Sequence, residues 1–154
     1  VTRKGDSSSE LVANATRIGE DVAELAAADV DRRARFPVES LEAMRDAEML
    51  SALVPRALGG IEASYLETAE AVVALGRHCA STAMVYAMHQ IQVACLVRHG
   101  RNDRLRDFQE ELVARQPLIA SATTEAGVGG DVRTSLCGLE RQDGRFRLEK
   151  NAPV

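Results

Sequence analysis

Between residues 83 and 97 only His89, Gln90 and Gln92 are strongly polar. A helix that is apolar on nearly all sides has no solvent face of its own, so it is read as a buried, central element. That predicts a helix over about residues 82–98 with other helices around it. It is too short and too interrupted to span a membrane. Gly100 suits its stop, with Arg98 and His99 at the negative end of its dipole.

The surrounding segments supply the partners. Leu11, Ala15, Ile18, Val22 and Leu25 recur at 3–4 spacing and predict one face of a long first helix, opened by the Ser7–Glu10 capping-box pattern and ending near Arg35, ahead of Pro37. Pro37 suits the first turn of a second helix whose inner face is Val38, Leu41, Met44 and Ala47. Residues 51–60 carry Pro55 and Gly59-Gly60 and read as a loop. A second capping box, Ser64 to Glu67, opens a third helix with Leu66, Ala69, Val73 and Gly76 along one side. Asn102 or Asp103 caps a fifth, with Leu105, Phe108 and Leu112 buried and Pro117 at its end. Aromatics are 3% with no Trp, so small and aliphatic residues must fill this core.

After Pro117 the pattern changes. Residues 118–123 read as a strand, residues 125–131 as a glycine loop, and residues 132–141 and 145–150 as a hairpin around Asp143-Gly144. The expected fold is mainly α: a bundle of about five helices over residues 1–117, then the first strands of an incomplete β domain over residues 118–154. Two or three strands without partners are marginal alone. The close at Asn151-Ala152-Pro153-Val154, with no further element, therefore predicts truncation.

Several function classes are disfavoured. The net charge of −4 argues against a nucleic-acid binder. Cys79, Cys95 and Cys137 are odd in number and widely spaced, so neither a disulfide framework nor a zinc site is indicated, and a cytoplasmic location is expected. His78, His89 and His99 match no compact ligand spacing, so no metal is expected; His89 reads as a bonded core group, the other two as helix-end residues. Glu39, Glu42, Asp46 and Glu48 read as a solvated face. No acid/base pair and no nucleophile elbow stands out, so no catalytic residue is assigned.

The most informative segment is Ser121-Ala122-Thr123-Thr124-Glu125-Ala126-Gly127-Val128-Gly129-Gly130-Asp131. Clustered glycines let a backbone approach a ligand, and the threonine hydroxyls and free N–H groups can meet phosphate or a heteroaromatic edge. A plain strand-to-strand turn accounts for the same residues equally well. The dinucleotide fingerprint is absent, because Val132 stands where its third glycine would be, and no Gly-Lys-Ser or Gly-Lys-Thr follows.

Thr123-Thr124-Glu125-Ala126-Gly127-Val128-Gly129-Gly130-Asp131 resembles the Thr-Glu-Pro-Gly-x-Gly-Ser-Asp segment of the acyl-CoA dehydrogenase family. Arg35-Phe36-Pro37, Val54-Pro55-Arg56-Ala57-Leu58-Gly59-Gly60, Ser81-Thr82-Ala83-Met84 through His89, and Asp143-Gly144-Arg145-Phe146-Arg147-Leu148 resemble further family segments in the same order. The resemblance implies a flavoprotein oxidoreductase that binds FAD and dehydrogenates an acyl-CoA thioester between its α and β carbons, as a homodimer or homotetramer. It implies flavin contacts at Ser121, Thr123, Thr124, Gly129 and Gly130, and acyl-CoA contacts at Tyr86, Ala87, Gln90 and Gly130. Gly130 replaces the family's serine and Ala126 its proline. The family's base is a glutamate in a later helical domain, so this chain by itself is expected not to catalyse the reaction, and Glu125 is expected to be structural. For Tyr86, Ala87 and Gln90 the other reading is core packing with bonded polar tips. A flavin monooxygenase of the same fold and a non-enzymatic helical interaction module are the alternative functions.

Overall fold

The first helix is one rod with a break in its register. In the computed structural model, which describes residues 6–121, 124–128, 130–131 and 133–150, α1 (Asp6–Ile18) runs through a π turn (Gly19–Ala23) into α2 (Glu24–Arg33). Ser7 lies within α1 rather than ahead of it, and its side chain is outside the described set. Leu11, Ala15 and Ile18 are buried as their spacing predicts. The π turn inserts one extra residue. Beyond it the buried stripe falls on Ala23 and Val30, and Leu25, expected on the inner face, is 81% exposed. Gly19 stands at this turn because a Cβ there would lie 2.6 Å from Cδ2 of His78, so its absence lets the first helix approach the end of the third.

Ala34 ends α2 in the left-handed conformation, and Arg35 brackets the junction. Its Nε donates to Asp29 at 2.6 Å and its two terminal nitrogens donate to Glu39 at 3.0 and 2.9 Å. Pro37 is buried as the N-cap of α3 (Val38–Asp46). The buried stripe therefore runs Pro37, Ser40, Leu41, Met44, which leaves Val38, expected inside, half exposed. Two 3-10 turns follow: Met49–Ser51, which reaches the segment read as a loop only at Ser51, and Arg56–Leu58, which lies within it.

The capping box forms as predicted and opens α4 (Tyr65–Gly76). Glu67 N–H donates to Ser64 Oγ at 3.2 Å, and Ser64 N–H donates to Glu67 Oε2 at 2.6 Å. The core side of α4 is Thr68, Ala71, Ala74 and Leu75, so the side carrying Leu66, Ala69 and Val73 faces outward. α5 (Ala80–His99) follows, and α6 (Asp103–Arg115) is capped by Asn102, whose side chain accepts the Leu105 N–H at 2.9 Å. On α6 Leu112 and Gln109 are buried, Phe108 is half-buried and Leu105 sits at the surface. Gln116, in the left-handed conformation, closes α6.

Leu11, Ile18, Met44, Met49, Leu50, Leu75 and Tyr86 dominate one core cluster; Leu53, Val54, Val93 and Leu112 form a second. With α1–α2 counted as one rod, the described residues form five helices, all within the first of two units, residues 1–120 and 121–154.

The second unit carries β1 (Leu139–Gln142) and β2 (Arg145–Leu148), paired antiparallel with Gln142 opposite Arg145. Asp143 and Gly144 both take positive φ, 50° and 75°, as a two-residue type I′ hairpin turn requires. The strands are shorter than predicted, and every residue in them is exposed. Residues 118–121, expected to begin a strand, form none: Ile119 gives its N–H to an imidazole instead of a neighbouring strand. Among the described residues no helix is long and apolar enough to cross a membrane.

Candidate functional site

The inward face of α5 is its polar one. Thr82, Tyr86, His89 and Gln90 are buried, and three of them converge on the Met49–Ser51 turn. Tyr86 donates its hydroxyl to the Met49 carbonyl at 3.3 Å, and Gln90 Nε2 donates to the same oxygen at 3.0 Å. His89 Nε2 donates to the Leu50 carbonyl at 2.7 Å, while its Nδ1 accepts the Ile119 N–H at 3.0 Å. Thr82 bonds Ser40 at 3.1 Å. From the C-cap of α6, Gln116 completes the turn: its Oε1 accepts Leu50 N–H and its Nε2 donates to Ser51 Oγ, both at 2.9 Å. Burial pushes the Tyr86 phenol well above its ordinary value and the His89 imidazole below 6.5. Both are therefore neutral near pH 7, and their polar atoms are already engaged by the backbone. Tyr86 is 0% exposed, with its polar tip on the turn.

The outward face is the apolar one. Met84, Met88 and Ile91 are exposed, Ile91 by 52%. The helix expected to be central is therefore covered on one side only among the described residues. Between this face and α4 runs a groove of about 390 Å³. Tyr65, Thr68, Ala69, Val72 and Val73 of α4 form one wall and Ala87, Gln90, Ile91 and Ala94 of α5 the other, with Leu53 completing it. None of these residues carries an acid or a base. Gln90 and Ala87, two of the acyl-contact candidates, thus meet on the groove, and Tyr86 does not line it. Gln90 Oε1 is buried without a partner, the one such side-chain atom among the described residues.

Sequence reasoning missed the α4 wall. The signal was present in part: Ala69 and Val73, of the apolar side read from the spacing, line the groove rather than the core, while Leu66 and Gly76 do not line it.

In the second unit, Thr124 and Gly130 are exposed and Ser121 is half-buried; Thr123 and Gly129 lie outside the described residues. Gly127 and Gly130 both take φ +88°, and a Cβ on Gly130 would meet nothing within 4 Å, so its backbone is open to a ligand. Glu125 is spoken for by its neighbours. Its carboxylate accepts the Ser135 hydroxyl at 2.6 Å and the Leu136 N–H at 2.7 Å, with Lys150 Nζ at 3.1 Å. These partners, the Ser135 hydroxyl foremost, hold its pKa down to about 2, far too low for a general base. Asp131 likewise accepts from Arg133 N–H and the Thr134 hydroxyl. The two acids brace the glycine turn from either end. No cluster of three metal-ligating side chains occurs among the described residues.

Comparison with known proteins bears on the helical unit. The family model described as "Acyl-CoA dehydrogenase, N-terminal domain" matches residues 6–116. The chain is 27% identical over 125 residues to the mitochondrial isovaleryl-CoA dehydrogenase of Solanum tuberosum, covering 79% of this chain and 30% of that protein. It is also 27% identical over 125 residues to the mitochondrial 2-methylacyl-CoA dehydrogenase of the same plant, with the same coverage. The chain thus spans about 30% of the length of these relatives. With the N-terminal family model matched across α1 to α6, this chain belongs to the acyl-CoA dehydrogenase family.

Proposed function

We propose that this chain supplies the acyl-binding wall and the flavin-side loop of a flavin-dependent acyl-CoA dehydrogenase, which takes a proton from the α carbon and a hydride from the β carbon of an acyl-CoA thioester. The observation that carries this is the groove between α4 and α5, lined mostly by apolar side chains with the Gln90 amide in its wall. A saturated acyl chain needs such a surface, and each methylene it withdraws from water contributes about 0.8 kcal/mol. Ala87 and Gln90 contact the chain, while Tyr86 acts behind them by holding the Met49 carbonyl. Gly130 leaves room for the backbone to approach cofactor or thioester.

Ser121, Thr123, Thr124, Gly129 and Gly130 would hold FAD through hydroxyls and backbone N–H groups. The open backbone at Gly130 and the braced turn fit that role. When bound, FAD supplies the two-electron acceptor for the reaction. The carboxylate base is assigned outside residues 1–154, since Glu125 is engaged and the groove offers none. The active form is a homodimer or homotetramer in a reducing, cytoplasmic compartment.

The test is to purify the protein expressed from its complete reading frame and follow its visible absorbance anaerobically with isovaleryl-CoA and a 2-methylacyl-CoA, the thioesters for which the two relatives are named. A yellow protein bleached by an acyl-CoA is expected. A colourless protein would point to an interaction module, and a yellow one that acyl-CoA leaves oxidised would point to monooxygenase chemistry; either overturns the proposal.

A further inference from the structure

His89 ties together stretches of the helical unit that are far apart in sequence. The Leu50 carbonyl can only accept and the Ile119 N–H can only donate. One form of the ring serves both, the neutral imidazole with its proton on Nε2 and a lone pair on Nδ1. Leu50 is itself immobilised, because its N–H is held by Gln116 and Gln116 is held by Ser51. The ring therefore rests on a fixed point and reaches across to a freer one. Among the described residues, no backbone–backbone hydrogen bond holds residues 117–121. Leu118 and Ile119 pack half-buried against the two core clusters, and packing alone is non-directional. The directional constraint on that stretch is the imidazole.

Volume does not explain this residue, since Phe or Leu would fill the space. The ring offers a donor and an acceptor on one rigid plate, aimed in different directions. An ordinary core histidine needs only satisfied nitrogens. This one spends its acceptor on a backbone N–H two residues ahead of Ser121, the first of the flavin-contact candidates.

We infer that His89 is a positioning residue: as the neutral Nε2–H imidazole it latches Ile119 and so fixes where the chain leaves the helical unit on its way to the glycine segment. The latch stands on hydrogen-bond geometry; its bearing on cofactor binding rests on the flavin reading above.

The test uses the ¹⁵N-labelled chain and two variants, His89→Phe and His89→Gln. Phe keeps the bulk and removes both bonds. Gln restores one donor and one acceptor. In the unaltered chain the ring nitrogen shifts should report the neutral Nε2–H tautomer, and the Ile119 amide should be protected from exchange. In His89→Phe the Ile119 protection factor should fall at least about tenfold more than those of Leu75 and Val93, as expected for the loss of a buried hydrogen bond. In His89→Gln most of it should return. A proton on Nδ1, an equal loss of protection at all three amides, or no rescue by Gln would overturn the latch. These readouts need no flavin, so an FAD titration that shows no binding would sink the flavin reading and leave the latch standing.

Discussion

The two faces of α5 invert the usual rule. Its inward face carries Thr82, Tyr86, His89 and Gln90 beside the apolar Ala83 and Val93, and its outward face carries Met84, Met88 and Ile91. Inside, each polar group meets a backbone or side-chain partner, save one oxygen of Gln90. Outside, Ile91 joins Ala87 and Ala94 in the wall of a groove, while Met84 and Met88 stand exposed beside it. The inner face therefore specifies structure: hydrogen bonds fix which turn lies against the helix and in which register. The outer face contributes little to the fold and is available for binding. Hydrophobicity averaged around the helix cannot separate these two jobs, because it hides which side is wet.

The contrast makes graded predictions. His89→Phe should cost the most, about 3 kcal/mol in urea unfolding, because it strands a buried carbonyl and a part-buried N–H. A cost as small as that of a surface substitution would break the assignment of the inner face to structure.

Acid should reveal the same residue. Burial holds the folded-state pKa of His89 below 6.5, with the Leu50 carbonyl pulling the other way. The unfolded chain then binds the extra proton first, so the stability from this group is fully present above pH 6.5 and declines as pH falls towards the folded-state value. Urea midpoints measured between pH 7.5 and 5 should show this slope in the native chain and lose it in His89→Gln. An identical slope in both would remove His89 as the cause.

Smaller effects follow. Tyr86→Phe should cost about 1 kcal/mol, since Gln90 still donates to the Met49 carbonyl. Ser64→Ala should also cost about 1 kcal/mol by removing the α4 cap, read as a lower midpoint with an unchanged m-value. Smallest in stability is Ile91→Ser on the outer face, within about 0.5 kcal/mol.

Much of the architecture was legible in the sequence because local rules governed it. The Ser64–Glu67 box, the Asn102 cap and the Asp143-Gly144 turn all formed where residue chemistry placed them. Leu25 escaped because a π turn shifts the buried stripe, and that turn, where Gly19 lies close to His78, is a local feature that helical spacing cannot carry. Val38 escaped because the buried stripe begins one residue earlier, at Pro37. Over residues 118–121 the expected strand is absent, and the N–H of Ile119 goes instead to an acceptor 30 residues upstream. At the candidate site, Ala87 and Gln90 lie on the groove, whereas the α4 wall was read only as an apolar stripe without a purpose.

The most direct measurement is acyl-CoA binding and flavin bleaching by the complete protein, native and Ile91→Ser. If the outer face of α5 is an acyl wall, the native protein is yellow and bleaches anaerobically with isovaleryl-CoA or a 2-methylacyl-CoA. Ile91→Ser should then keep its unfolding midpoint while its acyl-CoA Kd rises about tenfold, as lost apolar contact in a pocket predicts. An unchanged Kd in the variant, or a native protein that takes up no flavin, would contradict the assignment.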